Sequence, residues 1–511
     1  MTQITLLGQA FSHIITHPEI IVFCVLGVTL GIILGAIPGL SGLVGIALLL
    51  PITYYMNPMA ALVMVYGINK GGTYGGSIPA ILLNTPGTAA AACTQLDGYP
   101  LTRQGKQGKA LKVAVISSAV ADLMSDLVLI FLTIYIAKVV FAFGPVQMTA
   151  VLFFAFMTIG SVTGKSTIKG LMSALLGLLL STIGLDLITG FPRFAFGLTY
   201  LTGGLGLIPI LIGVFVVSEV LIQAGKVLHF SQRTTIAPPS TRPEDNRVSF
   251  KEFKRILPDI FRSYVIGQVL GMIPGIGAAI TPWVGYGRAK SASKNPDEFG
   301  KGSINGIAAA EAANNAVSGA NLMPLLTFGI PGSTEVVLIM GVFLLHGLRL
   351  SPRIFVENGP LVYGIFAGGL IAIATYFLIG YFLAEPTGKL VTLIPSRFIY
   401  PFVLILTFIG TYAVSSILLD LVVLVIFGMV GYLMRKYQFS MPALVIAFML
   451  GRRFEENIRQ ALLISRGDVS VFFTNPISII FILLGLFVIL GSVMQGRASL
   501  TGWIGRYIKK K

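Results

Sequence analysis

Charge is what this sequence has least of. Only 11% of its 511 residues are charged, 55% are hydrophobic, and the mean hydropathy is +0.87. A soluble domain carries about a quarter charged residues. This chain cannot cover itself with polar surface, so its solvent is lipid. Cysteine is nearly absent as well. Cys24 and Cys93 sit alone in apolar or small-residue surroundings, which argues for buried free thiols and against a disulfide framework or a metal site. Histidine is limited to His13, His17, His229 and His346. There is no HExxH zinc motif and no Walker-type GxxxxGK[ST] loop, so uphill work has to come from an ion gradient or a separate subunit. GLSG at 39–42 superficially fits the serine motif of intramembrane proteases, but none of the four histidines lies in a small-residue helix suited to pairing with Ser41. The alternation of a β-barrel is missing. No charged residue precedes Glu19 and there is no basic n-region, so a cleaved signal peptide is not expected.

What is present is greasy sequence in long runs. A spanning helix needs ~20 apolar residues, and stretches of that scale recur at 20–36, 113–143, 170–190, 196–222, 361–384, 399–434 and 476–495. Some are long enough for two crossings. The expectation is an all-α polytopic membrane protein with roughly a dozen transmembrane segments. The net charge of +16 does not indicate nucleic acid, because the basic residues lie in short connectors and form no stripe with interleaved aromatics. Arg103, Lys106, Lys109 and Lys112 make one connector, Lys226 through Arg262 a second, and Arg506 with Lys509, Lys510 and Lys511 a third. The positive-inside rule assigns all three to the cytoplasm.

The chain reads as one unit written twice. The only long hydrophilic interval, 225–257, is a polar cytoplasmic linker between a first transmembrane repeat, 1–224, and a second, 258–511, which ends in C-terminal helices and a basic tail. GAIPGLSG at 35–42 matches GMIPGIGA at 271–278, and PAILLNTPGT at 79–88 matches PLLTFGIPGS at 324–333. Hydrophobic segments broken at corresponding places point to a transporter binding site. The connector after the first break, YYMNPM, is neutral, whereas its counterpart carries Arg288, Lys290, Lys294 and Lys301. Equivalent loops would then face opposite sides, which favours inverted repeats with broken or re-entrant helices.

Unpaired backbone groups cost several kcal/mol in lipid, so a Pro-Gly break is tolerated only inside protein or beside a wet cavity. Pro38-Gly39, Pro86-Gly87, Pro274-Gly275 and Pro331-Gly332 each read as the start of a half-helix whose free N–H groups carry partial positive charge. Each such end contributes ~0.3–1 kcal/mol at the surface and up to ~2 when partly buried. Converging ends would form an anion site with few lysines. Ser41, Asn84, Thr85, Thr88, Asn315, Ser318, Asn321, Ser333 and Thr334 flank the breaks as candidate substrate contacts, with Asn69, Thr73, Ser77 and Asn305 nearby. Glu311, Asn314, Thr327 and Glu335 are candidates for a coupling ion, since carboxylates, hydroxyls and amide oxygens suit a hard cation such as Na⁺. For Glu311 and Glu335 a structural hydrogen bond between helices is the plainer alternative. Lys70 reads equally as a substrate partner or a snorkelling lysine. Asp122 and Asp126, at i and i+4 on one helix face, read as structural. An anion-selective channel would also use broken helices. Several distinct break points in a duplicated fold favour alternating access.

The motifs GAIPGLSG, YGGSIPAILLNTPGTAAAACTQLDGYPLTRQGKQGKAL, GMIPGIGA, GSINGIAAAEAANNAVSGANLMPLLTFGIPGS and MLGRRFEENIRQALLISRGDVSVFFTNP together resemble the large membrane subunit of the bacterial tripartite tricarboxylate transporters, the TctA family. The likeness runs from about residue 20 to 495. It implies a multi-pass secondary transporter of the bacterial inner membrane, not an enzyme, that imports citrate or another carboxylate by symport. It also implies a small four-helix membrane subunit and a periplasmic substrate-binding protein as partners, Na⁺ or H⁺ as coupling ion and no cofactor. A homo-oligomer is compatible with it. The family's glycine-proline motifs fall on the four breaks, with AEAANNA at 310–316.

Overall fold

The computed structural model describes residues 3–37, 40–162, 166–227, 240–275, 277–393 and 396–508. Pro38, Gly39, the linker stretch 228–239 and Lys509, Lys510 and Lys511 lie outside the described residues. The chain is helical almost throughout. The first half runs α1 (Gln3–Thr16), α2 (Pro18–Ala36), α3 (Gly42–Thr53), α4 (Pro58–Gly75), α5 (Ser77–Leu83), α6 (Gln95–Arg103), α7 (Gln107–Phe141), α8 (Pro145–Val162) and α9 (Thr167–Ser181). A small antiparallel ribbon follows, β1 (Gly184–Leu185) and β2 (Pro192–Arg193), with Gly184 opposite Arg193. Next come α10 (Thr199–Thr202), α11 (Leu207–Ile212) and α12 (Ser218–Val227), the last two joined by a single wide turn.

The second half runs α13 (Pro243–Asn246), α14 (Phe250–Gly271), α15 (Gly277–Ala292), α16 (Ile304–Phe328), α17 (Thr334–Leu345), α18 (Ile354–Glu357) and α19 (Gly359–Leu393). It closes with α20 (Ser396–Ser415), α21 (Leu418–Lys436), α22 (Met441–Ile464), α23 (Val471–Thr474) and α24 (Pro476–Ile508). The polar interval therefore ends earlier than its composition indicates. Its last residues are the first turns of α14, started by a capping box in which Ser249 and Glu252 each bond the other's backbone N–H.

Among the described residues, five helices are long and apolar enough to cross a membrane: Pro18–Ala36, Gln107–Phe141, Leu207–Gly225, Gly359–Leu383 and Leu418–Lys436. Six shorter apolar helices accompany them, α3 and α17 included. Large apolar side chains such as Phe382, Phe402 and Phe487 stand exposed on the outside, as a lipid-facing surface requires. The interior is the reverse: α16 is buried along nearly its whole length although it carries Asn305, Glu311, Asn314, Asn315, Ser318 and Asn321.

Contact registers give the helix directions. Gly27, Gly31 and Gly35 of α2 abut Met64, Ile68 and Gly72 of α4, and Gly364, Gly368 and Gly380 of α19 abut Met59, Val63 and Tyr74. α2, α4 and α19 are thus parallel, packed at glycines that let backbones touch. Gly267 and Gly271 of α14 abut Ala313 and Val317 of α16, while Ser118 and Asp126 of α7 meet Asn315 and Gly319. α14, α16 and α7 are parallel to one another. Between the two trios the sense reverses: Tyr66 and Lys70 of α4 meet Asp126 and Asp122 of α7, in that order.

The first two basic connectors and the loop before α16 gather at one end. Lys106 pairs with Asp245 at 3.6 Å, Lys109 with Glu252 at 2.6 Å and Arg255 with Glu298 at 2.6 Å, while the Gln104 amide donates to the Lys301 carbonyl.

Candidate functional site

The helix breaks meet in pairs. Gly87 donates its N–H to the Gly76 carbonyl at 3.1 Å. A Cβ on Gly87 would lie 2.0 Å from the Gly35 carbonyl oxygen at the end of α2, so only glycine permits this approach. In the second half Gly275, at a φ of +88°, donates to the Gly332 carbonyl at 3.1 Å. The second break thus rests on the rim of the first, and the third is bonded to the fourth.

Between the pairs lies a pocket with about 480 Å³ of empty space. Ser41, Gly42 and Leu43 at the start of α3 line it, with Asn69, Gly72 and Thr73 of α4 and with Thr88 and Ala90 after the second break. Opposite stand Asn314, Val317, Ser318 and Asn321 of α16, and Ser333 and Glu335 at the start of α17. α3 and α17 both point their N-termini here, and first-turn N–H groups have no carbonyl within their own helix to bond. Ser333 caps α17, its hydroxyl accepting from Val336 N–H, whereas Ser41 makes no such bond at α3. Ser41 makes no hydrogen bond to a histidine among the described residues.

The pocket's polarity is unspent. Both amide atoms of Asn314 and the Oδ1 of Asn321 are buried without a hydrogen-bond partner. Such orphans normally cost ~1–3 kcal/mol each, so bonding capacity at the pocket is left open.

The neighbouring face of α16 contrasts with this. Glu311 accepts from Ser77 at 2.6 Å and from Thr94 through one oxygen, and from Ser118 at 3.0 Å and Asn315 at 3.4 Å through the other. It fastens α5, the start of α6 and α7 to α16. Asn315 turns to Ser118 and Glu311, away from the pocket, with its Oδ1 unpartnered.

Of the residues singled out from sequence, the fold brings Ser41, Thr88, Asn314, Ser318, Asn321, Ser333 and Glu335 to one pocket. Pro86, Gly87, Pro274, Gly275, Pro331 and Gly332 form the joints behind it. Others stand apart. Asn84 is exposed with a left-handed φ of 56°, ending α5, and Thr85 beside it is exposed and bonded back to Leu83. Thr334 begins α17 outside the lining, and the Thr327 hydroxyl is taken by the Met323 carbonyl. Gly72, Asn69 and Thr73 belong to the lining although the break motifs alone did not select them. The signal for the α4 group was the run GINKGGTYGG, small residues interleaved with amide and hydroxyl groups.

A profile of the tripartite tricarboxylate transporter TctA family matches residues 21–446. The chain belongs to the TctA family. An uncharacterised 52.8 kDa protein of the TAR-I ttuC′ 3′ region of Agrobacterium vitis is 35% identical over 486 residues, 95% of each chain. A second uncharacterised protein, of the TAR-II ttuC′ 3′ region of the same organism, is 36% identical over 220 residues, covering 43% of this chain and 90% of that one. No solved structure matches. Family and helices together make this TctA chain a multi-pass membrane protein and a component of a tripartite transporter.

Proposed function

We propose that this chain is the translocating subunit of an ion-gradient-driven carboxylate importer in the inner membrane. A periplasmic binding protein would deliver the substrate and a small four-helix membrane subunit would assist. One observation carries the reading: the orphaned polar atoms of Asn314 and Asn321 line a pocket at which the N-termini of α3 and α17 converge. Helix N-termini favour a carboxylate, and amide N–H groups bond its oxygens. Glu335 in the same lining would repel an anion on its own. Beside Ser333 and the amide oxygens, it instead suits a cation such as Na⁺ bound next to the substrate.

Two further features support the proposal. The opposed trios α2, α4, α19 and α14, α16, α7 follow from inverted repeats in which α2, α4 and α7 correspond to α14, α16 and α19. The pocket is built by helices that carry the breaks, α3, α16 and α17, which are the elements that alternating access would move.

Proteoliposomes holding the chain and its membrane partner, supplied with binding protein and labelled citrate, test the reading. Accumulation above the outside concentration under a Na⁺ or pH gradient, abolished by an ionophore, is the expected result. Equilibration without accumulation would establish a channel instead.

A further inference from the structure

Next to the pocket, and outside it, lies a buried ionic cluster. Lys70 Nζ sits 2.7 Å from Asp122 Oδ1 and 3.1 Å from Asp126 Oδ1, all three side chains at 0–1% exposure. Tyr66 donates to Asp126 Oδ1 at 2.9 Å and Tyr376 to Asp122 Oδ2 at 3.2 Å. The ammonium also stands 4.5 Å over the Tyr66 ring. The elements packed around it contribute Cys24 from α2, Tyr66 and Tyr74 from α4, Ser318 and Glu311 from α16, and Tyr376 from α19. None of these adds a positive charge.

Fully ionised, the cluster holds one positive and two negative charges in a place water does not reach. A net buried charge is the arrangement interiors avoid most strongly. One atom shows where the excess lies: Asp126 Oδ2 is buried and has no hydrogen-bond partner. Gly319 and Gly369 flank this carboxylate, and a Cβ on either would come within 2.8 Å of one of its oxygens. The space around Asp126 is thus kept free by glycines on both trios. The cluster reaches the substrate site through a single hydroxyl, since Ser318 Oγ accepts from Lys70 Nζ at 3.5 Å and lines the pocket.

We infer that the Asp126 carboxylate, set against Lys70 and Asp122, is a proton-binding site whose loading favours the carboxylate substrate in the adjoining pocket. The inference rests on the transporter reading above and adds a site to it. One proton from solution joins Asp126 Oδ2, leaving a neutral carboxylic acid beside a balanced Lys70–Asp122 pair. The cluster's net charge rises from −1 to zero, and repulsion of an anion beyond Ser318 is relieved. By linkage the bound anion raises proton affinity by the same factor. The proton and the substrate then bind and leave together, so a pH gradient does work on the substrate.

The test uses Asp126→Asn, which keeps the shape and fixes the neutral state, in the full complex with citrate as probe. In proteoliposomes pH-gradient-driven citrate accumulation should fall at least tenfold, and citrate exchange at equilibrium should become independent of pH. A variant with wild-type accumulation and wild-type pH dependence would overturn the proton site while leaving the transporter reading intact. A wild type that moves no citrate under any gradient would overturn both. Should the variant misassemble, the wild type decides. Citrate added to the purified complex in weak buffer at pH 7 should draw in about one proton per citrate bound, after correction for citrate's own protonation. No uptake would refute the site.

Discussion

Two faces of one helix hold opposite kinds of polar side chain. On one face of α16, Glu311 is saturated by donors from α5, α7 and the start of α6, and Asn315 leans into the same knot. On the adjoining face Asn314 and Asn321 keep polar atoms with no partner. Both faces are buried to the same degree, so burial does not separate them. Satisfaction does. Glu311, whose bonds are made within the fold, ties the halves together, whereas the unmade bonds of Asn314 and Asn321 face the pocket where the proposed substrate would complete them.

That contrast can be broken from either side. The largest effect is expected at the saturated face. Glu311→Ala strips the acceptor from Ser77, Thr94 and Ser118 at once and should cost about 3 kcal/mol or more. It should appear as lost expression or a lower melting temperature in detergent, whether or not substrate is present. Asn314→Ala and Asn321→Ala should do the reverse, with melting temperature kept and citrate uptake reduced about 10–100-fold, the worth of one hydrogen bond to a charged ligand. If either lowers stability as Glu311→Ala does, the two faces are alike and the distinction fails.

Smaller effects lie further out. Asp186, in the loop after α9, accepts from the backbone N–H groups of Thr189 and Ile188 and pairs with Arg459 at 3.0 Å. These contacts hold its carboxyl well below the usual carboxylate range. A lowered folded-state value stabilises above the unfolded value, ~3.9, and that gain is lost progressively as pH falls from there through the folded value. Asp186→Asn should therefore lower the melting temperature by a few degrees at pH 7, and the gap should narrow only below about pH 4. The smallest effect is expected at Asn84. Its left-handed backbone tolerates glycine better than alanine. Asn84→Ala should cost about 1 kcal/mol and leave uptake within twofold, whereas Asn84→Gly should be close to neutral.

Much of this was legible in the sequence because its causes are local. A Pro-Gly pair in an apolar run favours a helix end wherever it falls, and those at Pro86, Pro274 and Pro331 lie where α5, α14 and α16 have ended. The faces were not legible. Asn84 and Asn314 are the same residue type, yet one ends a short helix in the open and the other faces the pocket. Which side a residue presents depends on neighbours far away in sequence. The same holds for Lys70, whose two carboxylate partners lie 52 and 56 residues further on. A spacing of i and i+4 placed Asp122 and Asp126 on one face, but nothing local showed that this face meets Lys70, Tyr66 and Tyr376.

The most direct test of the pocket exploits the two buried native thiols, Cys24 and Cys93, which leave an introduced cysteine as the reactive one. Thr73→Cys places a thiol in the lining and Asn84→Cys places one outside it. A water-soluble thiol reagent is applied to membranes holding the full complex, with and without citrate and its coupling gradient. The account predicts that citrate slows labelling at Thr73→Cys several-fold and leaves Asn84→Cys unprotected. Protection at Asn84→Cys with none at Thr73→Cys would contradict it.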